Sequence, residues 1–377
     1  MPTRTMSRIA AVQAAARALN ELHFDQSQPI DPFEAIHTLG LELQFRPMKD
    51  LLGAILPGSP AGVLINSERP ASMQRYTAAH EIAHWYLHQD ALAIDLVQQI
   101  DGHTDDLREQ NAQLFASHFL MPLELFHATA ARHGITKGAK VSPLAAYGLA
   151  RDMHVSYIAA VHQLSNLHFI SGSLRNEFLR VPPAQLKRVL TDGRKPVNIR
   201  GDVWPIDRES ADSALEVFVG DEIVVSLPEN PSTGYRWLDP QHARSAGIRT
   251  LRPAPAAFDA PGERASWSSE TSNVIAMPVP LRPVLTLVAD NAASDAPATD
   301  ELPIVGGRTT RHLAYSANEP GDGTLQLNYL RPFAPQNPSD SIQVHATVRA
   351  LPDQELRDRL IREFLQEEAA AQSDTPT

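Results

Sequence analysis

Two histidines four residues apart with a glutamate beside the first, Ala79-His80-Glu81-Ile82-Ala83-His84, are the most chemically loaded residues of the chain. On a helix, residues four apart share a face, so His80 and His84 can each direct one imidazole nitrogen at a single metal ion. Glu81 is rotated from them by roughly 100°. It still lies beside the ion, where a carboxylate can take a proton from metal-bound water. Zinc suits this donor set: imidazole binds it well, it has no redox chemistry, and it lowers the pKa of bound water towards ~7. A catalytic zinc needs a third protein ligand and an open position. Asp105, Asp106, Glu109 and His118 are candidates, all on or near the next helical segment. Along Glu109-Gln110-Asn111-Ala112-Gln113-Leu114-Phe115-Ala116, Ala112 and Ala116 continue the face of Glu109 in steps of three and four. Small residues there let that helix approach the H-E-x-x-H helix closely, with Phe115 and Phe119 on the flank that enters the core. His88 lies one turn past His84 on the same face, either as a group supporting the site or as a solvated helix-end histidine. Trp85 and Tyr86 read as core or groove-wall residues.

The elements that must position these groups change character near residue 195. Before it, helical periodicity dominates. Residues 8–22 form an amphipathic helix with Ile9, Val12, Ala16 and Leu19 at helical spacing. Asp31 and Pro32 provide an N-cap and a first-turn proline for a second helix that ends at Gly40. Residues 41–45 and 62–66 read as short strands, and helices follow over about 75–89, 106–119, 122–133, 143–152 and 156–167. Residues 182–196 are a basic, proline-flanked connector with a short helix from Ala184 to Leu190. From about 198 to 350, short alternating runs such as 222–227, 324–329 and 341–348 are separated by Gly, Pro, Asn and Asp, the signature of an all-β sandwich. The Ala/Pro/Ser-rich stretch 239–303 reads mostly as a long loop, with strands around Val274 and Val284. Leu356, Leu360 and Phe364 mark one amphipathic helix from Pro352 to about Ala371.

Composition sets the outer bounds. The 377 residues contain no cysteine, which excludes a disulfide scaffold, a thiolate metal site and a cysteine nucleophile. A net charge of −11 argues against a broad nucleic-acid footprint. The basic cluster Lys187, Arg188, Arg194, Lys195 and Arg200 reads as a solvated charge run. No segment reaches the ~18–20 apolar residues that span a bilayer. The N-terminal stretch reads as a helix rather than a signal peptide, so a cytoplasmic protein is expected, without direct nucleic-acid or membrane binding. The expected fold class is multidomain α+β. A mainly helical domain covers residues 1–180, a linker 181–200, a β-sandwich 201–350, and a C-terminal helix and tail 351–377.

At the metal-site residues the chain resembles the ImmA/IrrE family of metallopeptidases, which are similar to gluzincin peptidases. Arg75-Tyr76-Thr77-Ala78-Ala79-His80-Glu81-Ile82-Ala83-His84 matches its R-F-T-x-A-H-E-x-x-H, with Tyr76 in place of Phe. Glu109-x-x-Ala112-Gln113-x-Phe115-Ala116 matches E-x-x-A-N-x-F-A, with Gln113 in place of Asn, and Leu120-Met121-Pro122 follows. Pro29-Ile30-Asp31, Leu39-Gly40-Leu41, Gly53, Ile65-Asn66, Pro70 and His154-Val155-Ser156 extend the likeness over about residues 8–172. The resemblance implies that His80, His84 and Glu109 bind zinc and that Glu81 is the general base. It also implies a protein substrate, since several members cleave helix-turn-helix repressors in stress, phage or mobile-element responses.

The second half resembles the chagasin family of cysteine-protease inhibitors, which have an immunoglobulin-like sandwich. Gly220-Asp221 opens the family's first motif, and Asn230-Pro231-Ser232-Thr233-Gly234-Tyr235-Arg236-Trp237 completes it, with Ser232 for Thr. Gly306-Gly307 corresponds to its Gly-rich loop, and Arg331-Pro332-Phe333 to its R-P-W. The stretch between Trp237 and Gly306 is longer than in the family. In that family three loops form a wedge that fills a papain-type cleft. The resemblance therefore implies a recognition or autoregulatory module on a zinc endopeptidase or, alternatively, a binding protein for a papain-like cysteine protease.

Overall fold

The protein is described by a computed structural model over residues 8–56, 58–87, 93–96, 107–211, 214–239, 283–294, 309–332, 334 and 337–373. The chain divides into two compact units, Met1–Leu186 with Leu351–Thr377, and Lys187–Ala350.

In the first unit, helix α1 (Arg8–Glu21) and helix α2 (Pro32–Thr38) precede strands β1 (Glu42–Arg46), β2 (Leu51–Leu56) and β3 (Gly62–Asn66). Helix α3 (Ala71–Leu87), strand β4 (Ala93–Leu96) and helix α4 (Leu107–Leu120) follow. Four shorter helices complete the run: α5 (Leu123–Arg132), α6 (Pro143–Asp152), α7 (Tyr157–Asn166) and α8 (Gly172–Leu179). Side-chain caps start most of them. The Asp31 carboxylate accepts from the Phe33 N–H at 2.9 Å ahead of Pro32, and Ser142, Ser156 and Ser171 cap α6, α7 and α8 in the same way. Gly40, with φ of +70°, ends the α2 segment as the sequence predicts.

The four-stranded sheet has the order β1-β3-β2-β4, with β1 and β3 parallel and the other pairs antiparallel. Strand β2 and helix α8 are absent from the sequence reading. Leu51-Leu52-Gly53-Ala54-Ile55-Leu56 shows no alternation, because as an inner strand it is buried over four consecutive residues. The face of α1 also differs from the expectation. Its buried residues are Ala11, Ala14, Ala15, Ala18 and Leu19, whereas Ile9 is 69% exposed and Ala16 is exposed. The small alanines let α1 lie close against α4, and that approach outweighs burial of the larger Ile9.

Helix α9 (Pro183–Leu190) leads into the second unit, and helix α10 (Pro352–Ser373) returns to the first. There Leu356 and Leu360 line a 400 Å³ cavity with Phe33, Leu41 and Leu43, and Arg359 pairs with Glu34 at 3.6 Å.

The second unit is a sandwich of two four-stranded sheets. Strands β5 (Val203–Ile206), β7 (Glu222–Glu229), β9 (Leu285–Ser294) and β10 (Thr309–Ala317) form the sheet ordered β5-β7-β10-β9. Strands β6 (Leu215–Phe218), β8 (Arg236–Leu238), β11 (Gly321–Leu330) and β12 (Asp340–Arg349) form the sheet ordered β6-β12-β11-β8. The inner faces contribute Trp204, Val217, Ile223, Val225, Trp237, Tyr315, Leu327 and Val344 to one core. Strand β9, starting at Leu285, is the strand expected around Val284 within the long stretch 239–303. The strand expected around Val274 lies outside the described residues.

The basic run is not simply solvated. Lys187 is 7% exposed and donates to the Gly201 carbonyl at 2.6 Å. Arg194 pairs with the buried Glu222, which also accepts the Val197 N–H at 3.1 Å. The connector is thereby strapped onto the β-unit through partners that local charge counting does not reveal. Beside it, buried Asp221 accepts from Asp202 N at 2.7 Å, Trp204 Nε1 at 2.9 Å and Phe218 N at 3.0 Å. Burial, then the neighbouring Asp202 carboxylate, push the Asp221 carboxyl up to about 7, against those three donors. The fold thus favours its protonated form. The stability this contributes is complete below the ordinary value of 3.8 and is lost as pH rises through about 7. Thermal unfolding of the second unit followed from about pH 4 to pH 8 should show that decline, and Asp202→Asn should make it shallower; equal slopes would contradict the assignment.

Candidate metal centre

Helix α3 is buried almost without interruption from Gln74 to His84. Three tethers fix its start. Asn66, fully buried, donates to the carbonyls of Met48 at 2.6 Å and Leu51 at 2.7 Å and accepts from Glu68 N at 3.0 Å. Gln74 donates to the carbonyls of Arg69 at 2.8 Å and Ser67 at 3.2 Å. The Arg75 guanidinium donates to the Ile30 carbonyl just before α2. The helix is therefore fastened to the sheet, to its own lead-in turn and to α2 before the histidines are reached.

Across from it, α4 presents Ala112 and Ala116, both 0% exposed, and packs along α3. Phe115 and Phe119 are also fully buried. Phe115 stacks on Tyr86 with centroids 5.8 Å apart and on Phe119 at 5.7 Å. Tyr86 is thus a packing residue. Burial, with Glu21 beside it, pushes its phenol up to about 12, which suits no proton transfer at neutral pH.

This packing brings His80, His84 and Glu109 together. His80 Nε2 lies 3.1 Å from His84 Nε2 and 3.1 Å from Glu109 Oε2, and His84 Nε2 lies 3.5 Å from Glu109 Oε1. Among the described residues these three form the one group of His and carboxylate ligand atoms close enough to share an ion, all within 4.8 Å of one another. A cation with tetrahedral bonds of about 2.0–2.1 Å spaces its ligand atoms roughly 3.3 Å apart. The observed separations of 3.1, 3.1 and 3.5 Å match that spacing. Burial alone would raise the Glu109 carboxyl. The hydrogen bonds and charge of His80 and His84 outweigh burial and hold it well below the usual carboxylate range, so it is anionic at neutral pH. The residues fit a small divalent cation.

Glu81 is fully buried on the same helix, on the side that faces β2. His118 is on α4 but outside the group. Asp105, Asp106 and His88 lie outside the described residues. Gly53 on β2, against which the Glu81 carboxylate rests, carried no such role in the sequence reading. Its signals were its place in the family resemblance and a glycine inside an apolar run, which marks a close backbone approach.

In the second unit, the structure brings two of the three expected loop segments together. Asn230 caps a 3-10 turn (Pro231–Thr233): Ser232 N and Oγ donate to its side-chain oxygen at 3.3 and 2.7 Å, and Thr233 Oγ1 donates to its carbonyl at 2.7 Å. Gly234 takes φ of +73°. Tyr329 pairs with Trp237 across β11 and β8. Its ring lies 5.1 Å from Trp237 and 5.3 Å from Tyr235, and the Arg331 guanidinium stands 4.6 Å over Tyr235. Pro332 follows Arg331 in this turn. Gly306, Gly307 and Phe333 lie outside the described residues.

Residues 38–165 match the model of the IrrE N-terminal-like domain, Peptidase_M78. The radiation response metalloprotease IrrE of Deinococcus deserti is 32% identical over 167 residues, which are 44% of this chain and 57% of that protein. The chain thus spans just over half the length of this curated relative. Among solved structures, the cysteine protease inhibitor EhICP2 of Entamoeba histolytica is 16% identical over 39% of this chain and 96% of its own, with a TM-score of 0.25. Leishmania mexicana ICP is 18% identical over 40% and 90%, with a TM-score of 0.21. A Mycobacterium tuberculosis transcriptional regulator is 16% identical over 41% and 46%, with a TM-score of 0.30. The segment 38–165, which holds His80, Glu81, His84 and Glu109, is thus similar in sequence to the IrrE N-terminal-like domain.

Proposed function

We propose that the first unit is a zinc-dependent endopeptidase that cleaves a protein partner. The observation that carries this reading is the convergence of His80, His84 and Glu109 at tetrahedral ligand spacing, with Glu81 buried on the same helix. Nitrogen and oxygen must supply every protein ligand, because the chain has no cysteine. When bound, zinc polarises a carbonyl and lowers the pKa of water. His80 and His84 would hold it through imidazole nitrogens, and Glu109 would add the negative charge. Glu81 takes the proton of the attacking water and later gives it to the departing amine. The buried surroundings of α3 keep bulk water from these groups.

The substrate we infer is a helix-turn-helix transcriptional repressor, cleaved in the cytoplasm during a stress, phage or mobile-element response. This rests on the resemblance of the 75–84 and 109–122 motifs and on the match to a relative named as a radiation response metalloprotease. The β-sandwich serves as its recognition or autoregulatory module.

A second reading has its own observation. Asn230 to Trp237 and Arg331-Pro332 meet at one end of the sandwich and are held there by internal hydrogen bonds and stacked rings. A preorganised loop end of that kind suits insertion into the cleft of a papain-like cysteine protease, with Gly306, Gly307 and Phe333 as the remaining contacts.

Four measurements test these readings. Metal analysis of the purified protein should find one zinc per chain, and Glu109→Gln should lose most of it on dialysis; a protein that retains no zinc overturns the first reading. Glu81→Gln should keep the zinc and lose roughly 10²–10⁴-fold in cleavage rate. Proteomics of cells expressing wild type or Glu81→Gln should then show one protein cleaved only by the former. Full-length Glu81→Gln protein at micromolar concentration should slow papain, and Tyr235→Ala with Arg331→Ala should abolish the effect. Unimpeded papain would remove the second reading and leave the first intact.

A further inference from the structure

At Gly53 the sheet comes very close to the H-E-x-x-H helix. The glycine sits in β2 opposite Ile65 of β3 and Asp95 of β4, where the register with β4 shifts between Leu51 and Gly53. Its φ lies outside the left-handed region, so its conformation places no demand for glycine. The space around it does. A Cβ at Gly53 would overlap Thr77 Cγ2 and stand 2.9 Å from the Leu64 carbonyl oxygen and 3.2 Å from Glu81 Oε1. Thr77 and Glu81 are four residues apart and share the face of α3 that meets the sheet. Thr77 Oγ1 donates to the Met73 carbonyl at 2.9 Å, which directs its methyl group at the strand.

We propose that Gly53 is a positioning residue: the bare backbone of β2 is the seat of the Glu81 carboxylate, and glycine is required there to set where that carboxylate stands beside His80 and His84. The three atoms nearest to the position a Cβ would take belong to Thr77, Leu64 and Glu81, none of them to a ligand side chain. A side chain at residue 53 therefore presses on Thr77, the Leu64 carbonyl and Glu81 before any of the three ligand side chains. A catalytic group must be held to within about half an ångström of its working position, and a misplacement of ~1 Å can cost two orders of magnitude. This inference rests on the zinc reading above, and its test separates the two.

Acetohydroxamate is a suitable probe, because it chelates zinc and hydrogen-bonds to a carboxylate beside the metal. Its affinity would be measured by calorimetry on zinc-loaded full-length protein, with zinc content recorded for every variant. Gly53→Ala should retain one zinc per chain, bind the probe roughly tenfold or more weakly, and behave like Glu81→Gln. Combined with Glu81→Gln, it should add no further loss. Gly53→Ala with Thr77→Ser removes the overlapping methyl group while keeping the hydroxyl, and should fold but remain weak for the probe. Wild-type affinity in that double variant, or losses that multiply with Glu81→Gln, would overturn the positioning role. Absence of zinc from the wild-type protein would instead overturn the reading on which it depends.

Discussion

The separation between α3 and its two neighbours governs the candidate metal centre. His80 and His84 share one helix and meet by spacing alone. Glu109 belongs to another helix, and its oxygens reach both imidazoles only because Ala112 and Ala116 let α4 lie close. On an adjacent face of α3, Gly53 lets β2 approach until Glu81 rests on strand backbone. A larger residue at Ala112 or Ala116 pushes α4 outward, and a donor set with edges of 3.1–3.5 Å has little tolerance for that, whereas a side chain at Gly53 presses on Thr77 and Glu81. The tethers at Asn66, Gln74 and Arg75 have the same purpose at the helix start. They satisfy buried backbone carbonyls and fix the axial position of α3.

Much of this arrangement was readable from residue type and spacing. The helical face of His80 and His84, the small-residue face of Glu109, the Asp31 cap and the Gly40 stop depend on neighbours a few residues away. The strand β12 was legible for a similar reason: its burial alternates strictly, because one face meets the core and the other meets water. What escaped depends on distant partners. The inner strand β2 is buried over consecutive residues and carries no period-two signal. The buried face of α1 was set by the proximity of α4 rather than by the largest apolar side chains. Lys187 and Arg194 resembled a solvated run until Gly201 and Glu222 appeared beside them.

The sandwich shows how buried charge can organise a loop. Arg311 is 3% exposed, and it bridges Asp290 at 2.6 Å and Glu229 at 3.5 Å. Such a group is weak support for stability, because removing two charges from water is expensive. Taking away one partner, however, strands the other and costs about 3–5 kcal/mol. The network therefore resists partial disruption more than it strengthens the fold. Glu229 connects it to the loop: its Oε2 also accepts the Trp237 N–H at 3.2 Å, and the Trp237 indole donates to the Pro228 carbonyl at 2.9 Å. The chain leaving β7 and the chain entering β8 are pinched together at that point, and Asn230 to Arg236 must close as a short, fixed turn. Tyr329 completes the closure by accepting the Asn230 N–H on its hydroxyl at 3.2 Å while its ring covers Tyr235 and Trp237. Arg331 over Tyr235 then carries the order outward to the surface. A loop held this way has little conformational freedom left to lose, so the buried ions act on it by setting its shape in advance.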